Sequence, residues 1–176
     1  AGLAFADTLF DETDAHITLV DRHGKPGGHW NDAYSFVTLH QPSAFYGVNS
    51  MALGSRRKDV IGPNKGMDEL ASGPEIAAYY DKLMQHKLLP SGRVAYHPMC
   101  NHVGENTFEQ VLSGARTQVH VRKKLVDATY HSPAVPATHT RRFRVADGVR
   151  VAPPNVLPLL GANPSAKPVR RFVIVG

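Results

Sequence analysis

Asp21 closes the short apolar run His16-Ile17-Thr18-Leu19-Val20. A carboxylate at the end of such a strand can accept hydrogen bonds from both hydroxyls of a ribose. Taken alone, it reads equally well as a solvated acid after an ordinary helix-to-strand unit. Lys25-Pro26-Gly27-Gly28-His29-Trp30 then sets two glycines, whose backbone can approach a ligand closely, before an indole that can pack on a ring. The alternative there is a tight turn followed by a core tryptophan. Leu39-His40-Gln41-Pro42-Ser43-Ala44-Phe45-Tyr46 gathers amide, imidazole, hydroxyl and aromatic groups. That mixture suits the edge of a flavin ring and, equally, a polar surface. His97-x-x-Cys100-x-His102 combines metal-ligating types but has no fourth ligand at a standard spacing. No Gly-x-Ser-x-Gly elbow accompanies the serines and histidines. Neither a metal site nor a hydrolytic triad is therefore expected.

Elements must hold these groups in place. Residues 1–10, AGLAFADTLF, put Leu3, Ala6, Leu9 and Phe10 near one helical face, and Asp11 to Asp14 make a polar turn. A strand over residues 16–20 and a glycine-rich turn from Gly24 to Gly28 come next. Helix, turn, strand and terminal acid form the second half of a βαβ unit. Residues 31–70 carry Gly47, Gly54, Gly62, Pro63 and Gly66 without a sustained period, which predicts irregular structure of a length that is usually functional. Ser72-Gly73-Pro74-Glu75 has capping-box spacing, and Ile76, Tyr79, Tyr80, Leu83, Met84 and Leu88 hold a helical stripe. Short strands are expected at Val94 to His97, Thr107 to Leu112, Gln118 to Arg122 and Leu125 to Thr129, a β-meander with Ser113-Gly114 as its middle turn. Seven prolines in residues 131–170 predict an extended surface segment, before a new strand at Phe172 to Val175. Both ends read as cut inside structural elements.

A chain of 176 residues supports one domain with a real core and is too short for two complete nucleotide-binding domains. No apolar run approaches the roughly 20 residues that span a bilayer. The single Cys100 leaves no paired-cysteine redox motif, so any electron transfer falls to a bound cofactor, and cytoplasm is the expected compartment. The net charge of +5 is scattered in short groups such as Arg56-Arg57-Lys58. It forms no continuous basic stripe with interleaved aromatics, so nucleic acid is not an expected partner.

Ala1-Gly2-Leu3-Ala4 resembles the tail of a Gly-x-Gly-x-Ala-Gly-Leu-Ala dinucleotide fingerprint, and Leu19-Val20-Asp21-Arg22 resembles the strand-end acid with its basic neighbour. Gly27-Gly28-His29-Trp30 is similar to the Gly-Gly-x-Trp of flavin-containing monooxygenase-like oxidoreductases, and the spacing between the three matches as well. Val94 to Cys100 resembles the strand whose backbone meets the FAD adenine in that family. Val126-Asp127-Ala128-Thr129-Tyr130 falls at its Ala-Thr-Gly turn, with Tyr130 in place of the glycine. Arg171 to Gly176 resembles the strand and first glycine of its second, NADP-binding motif.

The resemblance implies an α/β, Rossmann-like FAD-binding domain of the glutathione-reductase type with a β-meander, its first strand missing. Residues 1–170 would be that partial domain, and residues 171–176 the first strand of a truncated second Rossmann domain. It implies FAD and NADPH as cofactors and a small-molecule substrate. Hydride would pass from NADPH to the flavin, and the reduced flavin with oxygen would oxygenate the substrate. On this resemblance Gly2 belongs to the pyrophosphate-binding helix start, Asp21 and Arg22 meet the adenosine, and Gly28, His29 and Trp30 lie along the cofactor. Gln41 and Ser43 approach the isoalloxazine, while Met99, Cys100, Ala128 and Thr129 complete the pocket. A flavoprotein dehydrogenase or electron-transfer reductase, and a non-catalytic nucleotide-binding remnant, are the competing readings. The Phe172 to Val175 run also has the composition to fill the vacant place beside residues 17–20.

Overall fold

The computed structural model describes residues 1–129, 136–161, 169 and 171–175. Tyr130, Arg170 and Gly176, which figure in the expectations from sequence, lie outside the described residues.

Helix α1 (Gly2–Glu12) ends where Thr13 turns to extended backbone and its hydroxyl donates back to the Leu9 carbonyl at 2.7 Å. Its inner face buries Ala6 and Asp7 and packs Leu3 and Phe10 on the core. Strand β1 (Ile17–Val20) comes next. The irregular stretch after it holds 3-10 turns at Gly28–Asn31 and Ser43–Phe45 and a minimal hairpin of β2 (Gly47–Val48) and β3 (Met51–Ala52).

Helix α2 (Gly73–Leu83) starts as its sequence dictates. The Ser72 hydroxyl accepts from the Glu75 N–H at 3.4 Å, and the Glu75 carboxylate accepts from the Ser72 N–H at 2.7 Å. Two otherwise orphaned donors are thereby satisfied. Ile76, Leu83, Met84 and Leu88 are almost wholly excluded from solvent and form the centre of the core. Beyond Leu83 the helix widens into a π-helical turn, Met84–Leu88, in which the Leu89 N–H donates to the Met84 carbonyl. A 3-10 turn ends at Gly92, whose φ of 68° only glycine adopts freely.

Strand β4 (Val94–His97) pairs in parallel with β1, Ile17 against Val94 through Val20 against His97. The connection between them contains α2, as a parallel crossover requires. Strands β5 (Cys100–Gly104), β6 (Thr107–Gln110) and β7 (Arg116–Gln118) then form an antiparallel meander. The molecule is a mixed α/β protein with small sheets, and no helix among the described residues is long and apolar enough to cross a membrane.

Four expectations need correction. The meander spans Cys100 to Gln118 instead of Val94 to Thr129: Val94 to His97 lies outside it, paired in parallel with β1, and β5 has no counterpart in the sequence pattern, because Asn101, His102 and Val103 are all exposed and carry no alternation. The third strand is Arg116–Gln118, so Gln118 to Arg122 holds only its last residue. Leu125 to Thr129 is not a strand; every residue is exposed, and Asp127 instead accepts from the Thr129 N–H and hydroxyl in a local turn at 2.8 and 2.7 Å. Phe172 to Val175 makes no ladder beside β1 or elsewhere among the described residues, its side chains being 61–93% exposed. Composition alone does not make a strand without a partner.

Candidate functional site

The carboxyl ends of β1 and β4 are clipped together by backbone hydrogen bonds that outlast the strands. Asp21 N–H donates to His97 at 3.1 Å, Cys100 N–H to Asp21 at 2.9 Å, and Met99 N–H to His23 at 3.0 Å. Met99 reaches this position with a left-handed φ of 54°, an uncommon conformation for a non-glycine residue. Cys100 is buried, with its thiol against the Pro98 carbonyl at 3.3 Å. Asp21, Met99 and Cys100 therefore meet at the end of a parallel strand pair.

Two residues not among the expected site residues, His23 and Asp32, complete the cluster. One oxygen of Asp21, Oδ1, accepts from the His23 backbone N–H at 2.9 Å and faces His23 Nδ1 at 3.0 Å. On the other side of the ring, His23 Nε2 faces Asp32 Oδ2 at 3.0 Å. The second oxygen of Asp21 has no hydrogen bond among the described residues. Asp21 and His23 are two apart, the spacing of an Asx turn, which is a weak signal available in sequence. Asp32 carries no such signal, since only the fold brings it there.

Polar atoms without partners lie nearby. Tyr96 is in register with Leu19, two residues before Asp21, and its hydroxyl is buried with no hydrogen bond among the described residues. Burial, and then the Asp21 charge, push that hydroxyl up to about 12. Asn155 donates from Nδ2 to the Asp32 carbonyl at 3.1 Å and buries its Oδ1 without a partner among the described residues. Buried polar groups left unmatched are rare and ask for an explanation.

The start of α1 belongs to the same neighbourhood. A Cβ on Gly2 would lie 3.1 Å from the Ala128 Cβ, so the helix start and the Ala128-Thr129 turn touch. His29 is held below the usual histidine range by burial, then by the Ala1 amino group and by His23, against the opposing pull of Asp32. Gly28, at φ 56°, has open space where a side chain would stand.

Other expected site residues are placed differently. Trp30 is half-buried against the core and donates its indole N–H to the Tyr46 hydroxyl at 2.7 Å, with the two rings edge to face. Ser43 is fully buried; its hydroxyl donates to the Glu69 carbonyl and accepts from the Ala71 N–H, both at 2.8 Å. That hydroxyl is spent on the backbone of residues 69–71. Gln41 is half-buried with its amide unbonded among the described residues, Arg22 is exposed and unpaired among them, and the Thr129 hydroxyl is taken by Asp127. His97 stacks against Phe108 with ring centres 4.6 Å apart.

In comparisons with known proteins, the chain is 47% identical over 175 residues to an uncharacterized protein of Mycobacterium bovis and to uncharacterized proteins of two Mycobacterium tuberculosis strains. The match covers 99% of this chain and 31% of each relative, so the chain spans about a third of the length of the curated relatives it matches. No family model matches. No solved structure matches significantly.

Proposed function

We propose that this chain forms the FAD-binding part of a flavin-dependent, NADPH-using oxidoreductase of the monooxygenase-like kind, built on a Rossmann-like half. One observation carries the reading: a strand-end carboxylate with a free oxygen, Asp21, stands at the carboxyl end of a parallel strand pair, where open α/β sheets bind nucleotides. The residues present suit FAD. Asp21 Oδ2, unbonded among the described residues, would accept from ribose hydroxyls, and the open space at Gly28 leaves room for close approach of a ligand. Gly2 at the start of α1 suits a pyrophosphate, which helix N-termini attract through unpaired N–H groups. The flavin would supply the redox chemistry, and these residues its position and surroundings.

Trp30 keeps only a packing role toward such a cofactor, because its N–H is already bonded, and Ser43 acts at one remove by fixing residues 69–71. A second nucleotide domain for NADPH would fall in the additional length that the relatives possess. Titration of the purified full-length protein with FAD tests the proposal. A bound yellow cofactor and NADPH-dependent oxygen uptake support it, oxygen uptake being what separates an oxygenase from a dehydrogenase. A protein that neither carries nor takes up FAD overturns it.

A further inference from the structure

We infer that His23 is a positioning residue for the nucleotide: it fixes the Asp21 carboxylate toward the adenosine ribose and ties it, through Asp32, to the Gly-Gly-His-Trp turn. The inference rests on the FAD reading and adds a residue and a task to it.

A carboxylate at a strand end rotates freely about its last bond unless something holds it. Here one oxygen of Asp21 is gripped from two directions, by the His23 backbone N–H at 2.9 Å and by ring Nδ1 at 3.0 Å. Two contacts on one oxygen set the plane of the group and aim the other oxygen, which has no hydrogen bond among the described residues. The ring is itself braced, with its side chain only 14% exposed and Nε2 at 3.0 Å from Asp32 Oδ2. Asp32 comes directly after the 3-10 turn Gly28–Asn31, and its N–H donates to the His29 carbonyl at 3.1 Å. A single imidazole thus spans the acid at the end of β1 and the turn that carries His29 and Trp30. Each ring nitrogen faces a carboxylate oxygen, so an alanine here leaves two neighbouring negative groups without the donor between them. Holding a binding group in one geometry before the ligand arrives removes an ordering cost from binding.

The test uses the natural full-length protein and fluorescence titration with FAD and with an FAD analogue lacking the adenosine 2′- and 3′-hydroxyls. His23→Ala is expected to weaken FAD binding about tenfold and to leave the analogue unchanged, since the analogue offers nothing for Asp21 to hold. His23→Asn places an amide N–H where Nδ1 stands and should recover most of the loss. His23→Gln reaches toward Asp32 instead and should not, and this pair decides the matter even where the alanine variant does not fold. Equal affinities for FAD in all His23 variants, with Asp21→Ala still weak, overturn the role of His23 alone. Equal losses for FAD and the analogue reduce His23 to a structural part and also overturn it. An Asp21→Ala protein that binds FAD as well as wild type overturns the ribose reading and this inference with it.

Discussion

Asp7 and Asp21 are both carboxylates held by the chain, Asp7 from distant Ser50 and Lys87 and Asp21 from neighbouring His23, yet the two regions use them in opposite ways. Asp7, on the inner face of α1, is fully buried and spends both oxygens within the chain. Oδ1 accepts from the Ser50 hydroxyl and Lys87 Nζ, each at 2.6 Å, and Oδ2 accepts from the Ser50 N–H at 3.1 Å. Lys87 is shared with Asp11 at 2.7 Å. Asp21 sits at a strand end with its side chain 30% exposed and commits only one oxygen. A third carboxylate, Glu69, behaves like Asp7: the N–H groups of Ser55 and Arg56 bind one oxygen, and the Ser55 hydroxyl the other at 2.8 Å. Carboxylates saturated by their own chain are building material, whereas Asp21, with one oxygen unbonded among the described residues, is the one the FAD proposal can use.

The sharpest way to break this comparison is to neutralise the saturated member. Asp7→Asn should destabilise the fold by roughly 3 kcal/mol, because it removes an ion pair and strong hydrogen bonds from a buried site. The shift of the urea midpoint measures it. The same site fixes a pH dependence. Burial alone raises the Asp7 carboxyl, but the bonds from Lys87 and Ser50 outweigh it and hold the group below the usual range. Its contribution is therefore complete above about pH 3.9, the ordinary aspartate value, and is lost as pH falls through the lower folded value. Lys87 is the mirror case. Burial lowers it, but Asp11 and Asp7 raise it further, so its contribution is complete below about pH 10.4 and is lost as pH rises through the higher folded value. The contribution of this pair should be constant between these limits, and Asp7→Asn should flatten the acid side. An acid limb that is identical in the variant would remove Asp7 from the account.

Asp21→Ala is the opposite experiment. It should weaken FAD by about 1 to 3 kcal/mol and, through the lost His23 contacts, cost about 1 kcal/mol of stability, well below the loss in Asp7→Asn, so that affinity and stability separate between the two acids. A large stability loss without a change in FAD binding would reverse the assignment. Tyr46→Phe tests the aromatic side of the site: it strips the acceptor from the Trp30 N–H and should cost about 1 kcal/mol of stability, with a shift in tryptophan emission as the readout. The smallest effect belongs to Arg22→Ala. That side chain is exposed and unpaired among the described residues, so its change in melting stability should stay within about 0.5 kcal/mol.

Legibility in the sequence tracks the reach of each interaction. The capping box at Ser72 and Glu75, the stripe of α2 and the strand ending at Asp21 are readable because each is written in neighbours a few residues apart. The meander is readable in kind and misplaced in position, since its strands are short and largely exposed, where hydrophobic alternation is weakest. Asp21, Met99 and Cys100 can be proposed as neighbours from sequence, and they do meet. His23 and Asp32 cannot, because their contact depends on a turn that returns the chain on itself after nine residues. The cradle around Glu69 is equally hidden, depending on a left-handed Arg56 at φ 59° that composition does not announce. Ser43 looks like a ligand group in sequence because a hydroxyl carries no mark of its eventual partner.

The wide turn Met84–Leu88 gives the core helix a place of slack. Five residues there do the work of an α-helical four, with exposed Gln85 and His86 on the outside and Met84 and Leu88 fully inside. The i→i+5 hydrogen bond fits one residue more into the turn than an α-helix would, while Met84 and Leu88 both stay inside. Deleting the exposed Gln85 should therefore return the segment to α-helical spacing with Leu88 still facing inward, so one residue can be removed here at less cost to the core than elsewhere in the helix.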